Sequence, residues 1–361
     1  MTKYAYVTTL FGDVSYLEGV VLVALGLIRQ GSIYDRICLI TETLALTCRP
    51  ILEKFFTHVL VVGIISAEKK AHIRIDSRIL SKIPCGGDIN GIYMTKLHIF
   101  NKSLLNYDKV VYIDSDLIPI QKFDALFSIN APAGWLEANN GHKHVWGAWT
   151  FKKTKYKIPK SITDLMNPLS FEINTGLLVI EPNDSVFRDM IHIACNSELL
   201  NQKFWGYFEH RNRLVKGYSR TDQQFITQYF SGRWTYISEK YNVWDTAPLA
   251  EREIYGLHMA GVSHLIADKK SVGGRKRIYG KTWMIQPNDE KDIYVRTTNE
   301  LIAWGIKKYP FLCDFFYKKL NIIIADRLVP FKILKPEQCN ESLKVISFLI
   351  NPLQAVSKDL S

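Results

Sequence analysis

The stretch from Lys109 to Ile120, Lys-Val-Val-Tyr-Ile-Asp-Ser-Asp-Leu-Ile-Pro-Ile, constrains the fold more than any other. Val110 to Ile113 form a short apolar run of β-branched and aromatic residues, the pattern of a buried strand. The run ends in two carboxylates, Asp114 and Asp116, with one residue between them. Positions two apart on an extended strand share a face, so both carboxylates leave its carboxyl end together. In an open α/β sheet that edge is where ligands bind. Two carboxylates so placed repel by roughly 4 kcal/mol at about 4 Å and an effective dielectric near 20. A hard divalent cation with oxygen ligands removes that cost. The same tripeptide also suits a turn capping a helix, since Asp and Ser favour such places.

A chain of 361 residues holds about two domains, or one large α/β domain with an appendage. At 47% hydrophobic and 22% charged residues it can bury a substantial core. Cys38, Cys48, Cys85, Cys195, Cys313 and Cys339 are scattered and form no Cys-x-x-Cys pair, which argues against a zinc knuckle or a disulfide framework. The start, Met-Thr-Lys-Tyr-Ala-Tyr, leads straight into a strand pattern rather than a signal peptide, so the expected location is cytoplasmic. No apolar run reaches the length of a membrane span.

The formal charge of +11 calls for a partner or a structural explanation. Much of the local excess lies between Asp268 and Lys281, in Asp-Lys-Lys-Ser-Val-Gly-Gly-Arg-Lys-Arg-Ile-Tyr-Gly-Lys. Such a segment is either a solvated basic loop or a flexible anion clamp, because paired glycines and cations suit a loop closing over phosphates. Helix-turn-helix, RNA-recognition and zinc-finger patterns are missing, so no nucleic-acid partner is expected.

In order, the chain alternates strands and helices. Strands are expected over Tyr4 to Leu10, Arg36 to Ile40 and His58 to Val62, with helices over Tyr16 to Ile28 and Pro50 to Phe56. Parallel strands with helical crossovers follow as the natural architecture. Ser66 to Asn90 is a polar loop, and Tyr93 to Asn101 a helix leading into the Asp114 strand. The dinucleotide Gly-x-Gly-x-x-Gly and the P-loop pattern are both absent. Glu137 to Pro168, with His142, His144, Trp146 and Trp149, is a long Lys-rich excursion of the kind that forms lids or acceptor sites. Its two histidines are either metal ligands or plain surface residues. A strand over Phe171 to Glu181, a helix from Val186 to Cys195 and a helix opening at Thr221-Asp222-Gln223-Gln224 complete the core, where Thr221 or Asp222 also suits a simple cap.

Several of these motifs, in this order, resemble family-8 retaining glycosyltransferases of the glycogenin and galactinol synthase group. Tyr6-Val7-Thr8-Thr9-Leu10 with Tyr16 and Glu18-Gly19 resembles that family's first strand and uracil-binding turn. Thr95-Lys96-Leu97-His98 resembles its Thr-Lys-Leu-His helix, and Asp114-Ser115-Asp116 its Asp-x-Asp element. Phe171-Glu172-Ile173-Asn174-Thr175-Gly176 and Glu181-Pro182 are similar to its next strand. Asp222-Gln223, Tyr241-Asn242 and His258-Met259-Ala260-Gly261 follow in place, so the likeness covers about residues 3 to 285. One residue is inserted near Tyr16, and Lys281-Thr282-Trp283 follows Gly261 only after the basic segment. The interval Val243 to Leu257 is short and Tyr255 lies close to His258, so the likeness does not extend to a self-glucosylated tyrosine.

The resemblance implies an α/β fold of the GT-A nucleotide-diphospho-sugar transferase type, a Rossmann-like mixed sheet flanked by helices. It implies a transferase domain over 1–289, with 290–361 as a helical C-terminal extension. It implies a divalent ion held by Asp114, Asp116 and His258, bound in turn to the diphosphate of a UDP-sugar donor. A mixed oxygen and imidazole shell suits manganese better than magnesium. Thr8, Leu10, Tyr16, Lys96, Ser115, Gly261 and Lys281 would contact the donor, while Asn174, Asp222 and Gln223 would act on the sugar. The implied reaction is retaining transfer of a hexose, glucose first, to a hydroxyl on a saccharide or protein-linked glycan. A non-catalytic nucleotide-sugar-binding regulatory module is the alternative, and retention of Asp114, Asp116, Asp222 and His258 together favours the enzyme. Leu301 to Leu334 and Lys344 to Leu353 are amphipathic pieces that suit packing on the core, a homodimer interface or a membrane surface.

Overall fold

The computed structural model describes residues 2–12, 14–65, 93–137, 157–166, 170–196, 199, 206–210, 213–217, 222–243, 253–258 and 293–316. β1 (Tyr4–Leu10), α1 (Leu17–Arg29), β2 (Asp35–Thr41), α2 (Glu42–Leu52) and β3 (His58–Val62) open the chain, followed by β4 (Lys109–Ile113) and β5 (Leu117–Pro119). β6 (Ala133–Glu137), α3 (Lys160–Thr163), β7 (Glu172–Ile180) and α4 (Asp184–Ala194) continue it. A hairpin of β8 (Gly206–His210) and β9 (Arg213–Gly217) precedes α5 (Asp222–Tyr229), β10 (Thr235–Tyr236), β11 (Gly256–His258) and α6 (Ile293–Lys308).

Seven strands form the central sheet in the order β10-β6-β7-β4-β1-β2-β3. β1, β2, β3 and β4 are parallel, and β1, β2 and β4 are near-continuous apolar runs buried along most of their length, as in sheets covered on both faces. β7 runs antiparallel to both β4 and β6. Alternation divides β4 between the two faces. Val110 and Tyr112 join the layer that holds Met190 and Ile193 of α4 and Phe225 and Ile226 of α5. Val111 and Ile113 face Val23 and Leu27 of α1. Two further strands, β5 and β11, pair with one another outside this sheet.

Two sequence expectations are corrected. The helix placed over Pro50 to Phe56 is α2, over Glu42–Leu52, with Pro50 inside its final turns. Proline is commonest at a helix start, which makes Pro50 a misleading marker. Here the carbonyl that loses its donor belongs to Leu46, which is 86% exposed and open to water. The helix expected over Tyr93 to Asn101 is a brief turn that tightens into a 3-10 segment, Thr95–Phe100. Burial of Thr95, Leu97, Ile99 and Phe100 wins over helical spacing there. The polar loop 66–90 and most of the 137–168 excursion, including His142 and His144, lie outside the described residues.

α6 belongs to the core. Leu301, Ile302 and Ile306 are buried in one cluster with Val20, Val21 and Leu25 of α1. Among the described residues, no helix is long and apolar enough to cross a membrane.

Candidate active site

β4 stands where the parallel half of the sheet meets the antiparallel strand β7, the kind of switch at which α/β sheets bind ligands. The ladder continues one residue past the strand, where the Asp114 amide donates to the Gly176 carbonyl at 2.8 Å. The chain then turns, with the Leu117 amide donating to the Asp114 carbonyl at 3.1 Å, and enters β5. Register does the rest. β5 and β11 pair Leu117 with His258, which sets the imidazole beside Asp116. Asp114, Asp116 and His258 each offer a ligand atom, and these atoms lie within 4.8 Å of one another. His258 Nε2 is 3.3 Å from Asp116 Oδ1. The carboxylates thus converge as expected, but through the turn after β4 rather than through strand parity, and the long-range pairing of β5 with β11 adds the histidine.

Lys96 supplies the opposing charge. Its ammonium lies 3.2 Å from Asp114 Oδ1 and 2.8 Å from Asp222 Oδ2, and donates to Thr175 Oγ1 at 3.4 Å. Burial pulls the Lys96 pKa down, but Asp114 and Asp222 outweigh it and hold it well above its ordinary value. Burial likewise pushes the Asp114 carboxyl up. Lys96 first, then the Tyr112 hydroxyl and His258, reverse this and leave it below the usual carboxylate range. Tyr112 donates to Asp114 Oδ1 and lies 3.0 Å from Thr9 Oγ1. Burial, and next the Asp114 charge, drive its phenol far above the ordinary range, so it stays a donor. Thr175 donates to Asp222 Oδ2 at 2.9 Å, which turns that oxygen to the site. Gln223 accepts from the Thr175 amide at 3.3 Å and donates to Glu172 Oε2 at 2.9 Å.

A β-bulge shapes the wall opposite. The register between β6 and β7 steps from Gly134 with Leu178 to Trp135 with Asn174, passing over Thr175, Gly176 and Leu177. Bulges re-aim side chains beside active sites. Nearby, where β4 turns away after Asp114, the Gly176 amide donates to Asn174 Oδ1 at 2.9 Å.

The structure therefore brings together Lys96, Asp114, Asp116, Asn174, Asp222, Gln223 and His258. Ser115 sits in the turn between the carboxylates. Thr8 and Leu10 are buried in β1, and Leu10 with Tyr16 packs in the cluster around α1. Gly261 and Lys281, with the rest of the basic segment 268–281, lie outside the described residues. Tyr112, Thr175 and Asn242 are participants to which the sequence alone assigned no part. The two-residue period that grouped Asp114 with Asp116 also groups it with Tyr112, and was the available signal.

Two carboxylates, a histidine and a buried lysine thus meet at the carboxyl edge of the central strand of a mixed α/β sheet. The chain belongs to glycosyl transferase family 8, whose model matches residues 8–255. It is 25% identical over 246 residues to an uncharacterized protein of Acanthamoeba polyphaga mimivirus, covering 67% of this chain and 72% of that one. It is 26% identical over 151 residues to glycogenin-1 of Homo sapiens, and spans only 40% of that protein's length. Superposed on the galactosyltransferase LgtC in complex with donor and acceptor sugar analogues, it has 12% identity and a TM-score of 0.46 over 82% of this chain and 94% of that one. The fold assignment rests on the family match and the sheet topology, which agree with the GT-A architecture that the motifs imply.

Proposed function

We propose that the protein is a metal-dependent, retaining glycosyltransferase that moves a hexose, glucose first, from a UDP-sugar to a hydroxyl acceptor on a saccharide or protein-linked glycan. The observation that carries this reading is the convergence of Asp114, Asp116 and His258 beside a second group formed by Lys96, Asp222 and Thr175. The donor set fits a divalent ion. Two carboxylates and an imidazole offer three compact ligands, and the nitrogen favours manganese over magnesium. Bound there, the metal would act as a Lewis acid for charge developing on the departing UDP. The chain's own groups would do the rest. Asp114 and Asp116 orient the diphosphate end, Lys96 places positive charge next to it, and Asp222, Gln223 and Asn174 steer the sugar. Thr8, Leu10, Tyr16 and Ser115 belong to the nucleotide side of the same proposal, as do Gly261 and Lys281.

The same reading takes 1–289 as the transferase unit and 290–361 as its extension, and sets the enzyme in the cytoplasm. In this reading the basic segment 268–281 closes over the donor diphosphate or meets a membrane surface, and the C-terminal pieces serve core packing, a homodimer contact or a membrane surface. Release of UDP from a panel of UDP-sugars, with manganese or with excess chelator, tests the activity. Turnover of one donor that stops in chelator is expected. Donor binding without any UDP release would establish the regulatory module instead.

Asp222 separates chemistry from architecture. If it steers the transferred sugar, Asp222→Ala should lower kcat by on the order of 10²–10³-fold, the cost of losing one preorganised polar contact in a transition state. If its part is architectural, holding Lys96 and Thr175 at the start of α5, the variant loses stability, by roughly 3 kcal/mol for a broken buried pair, and keeps its rate. Steady-state kinetics and thermal melts of the same preparation decide between them.

A further inference from the structure

We propose that Asn242 is a positioning residue that fixes the tautomer of His258, so that Nε2 is presented as a bare acceptor toward the metal. This deepens the metal reading above and rests on it. Asn242 is fully buried, and Asn174 and His258 are nearly so at 6% and 5% exposed. Asn242 Nδ2 lies 3.0 Å from Asn174 Oδ1, and Asn242 Oδ1 lies 2.8 Å from His258 Nδ1.

The polarity of this chain is set at its far end by a group that has no alternative. The Gly176 amide, 2.9 Å from the Asn174 side chain, is a backbone N–H and can only donate. The Asn174 atom facing it must therefore be oxygen. The Asn242 atom facing that oxygen must then be the NH₂ group, which leaves Asn242 Oδ1 toward the imidazole. An amide oxygen only accepts, so the proton of a neutral His258 belongs on Nδ1. Nε2 then carries a lone pair and faces Asp116 Oδ1, a second acceptor, at 3.3 Å. In the neutral ring these two acceptors meet at that separation, and a cation shared with Asp114, the remaining member of the triad, reconciles them in place of the second proton of an imidazolium. Histidine ligands in metal sites are commonly held this way, by a hydrogen bond to the nitrogen that does not bind the metal.

Two backbone features support the clamp. A Cβ at Gly176 would come within 2.7 Å of His258 Cε1 and 2.8 Å of Asn174 Oδ1, so glycine gives the ring its room. Pairing of Val243 with Leu257 sets Asn242 alongside β11, with the His258 amide donating to the Val243 carbonyl at 2.9 Å.

The test uses the full chain with ¹⁵N-labelled histidine, metal-free, near pH 9, above the ordinary imidazole range. Two-bond ¹H–¹⁵N correlations report which ring nitrogen is protonated, and His258→Gln identifies the signal. The expected result is a single tautomer with the proton on Nδ1; a proton on Nε2 overturns the proposal, whatever any variant does. Manganese affinity, read by electron paramagnetic resonance of the free ion, is then compared across two variants. Asn242→Leu should bind manganese 10–100-fold more weakly. Asn242→Asp, which still accepts from Nδ1–H, should keep the tautomer and bind more tightly than the leucine variant. A purely packing role predicts the reverse order, because leucine fills the space without burying a charge. Wild-type affinity in Asn242→Leu also overturns the proposal. A wild-type protein that binds no manganese yet keeps the Nδ1 proton defeats the metal reading and upholds the hold of Asn242 on the ring.

Discussion

Asp116→Asn should reduce sugar transfer by about 10³-fold or more while leaving the melting temperature close to that of the wild type. The substitution keeps volume and one oxygen but removes one of two carboxylates that share a site with His258. A Lewis-acid contact is worth several kcal/mol in the transition state. At about 1.4 kcal/mol per tenfold, some 4 kcal/mol gives the expected factor. Stability follows a different ledger, because the change also relieves repulsion between Asp116 and Asp114. Kinetics of the variant, alongside the wild type in excess chelator, measure the effect. Full activity in either would sink the metal mechanism.

Lys96→Met should show the opposite balance, with a large loss of stability. Lys96 is 9% exposed, and its ammonium serves Asp114 and Asp222 at once. Without it two carboxylates face each other in a largely buried site. Breaking a buried pair by removing one partner typically costs roughly 3–5 kcal/mol. The lower end is expected here, because the Asp114 side chain keeps 26% of its exposure. Urea unfolding monitored by circular dichroism reads the difference. Saturating manganese should also raise the melting temperature of the variant more than that of the wild type, since the ion replaces part of the lost charge. A loss below about 1 kcal/mol would show that the lysine does not hold the two carboxylates together.

Legibility in the sequence followed the range of the interactions. β1 and β3 fell where their apolar patterns placed them, because a run of apolar, largely β-branched residues leaves a local record whether the strand is buried throughout, like β1, or only in part, like β3. Asp114, Asp116 and His258 were legible as types and spacings, yet their meeting depends on the β5–β11 register, which no local pattern encodes. Asn242 shows the limit more clearly. Its neighbours in the chain, Tyr241 and Val243, pack in apolar clusters, while its polar work is done with Asn174, 68 positions away. That partnership depends on how β7 and the segment before β11 come together in the fold, which the local sequence does not record. α2 failed for a simpler reason: a proline that usually opens a helix here lies near its end.

The contact between α1 and β5 has a consequence for anyone who would engineer this chain. Gly26 lies directly against Pro119, and a Cβ there would fall inside the Pro119 carbonyl. On the other side of α1, Gly305 of α6 allows the same close approach to Leu25. The strand that carries the chain on from Asp116 is therefore wedged in place by a helix with no chemistry of its own. A thermostability library that spares every ligand but replaces this helical glycine with alanine, the residue helix propensity recommends, would shift the ligands all the same. For substitution purposes the geometry of the candidate site extends into the apolar half of the molecule.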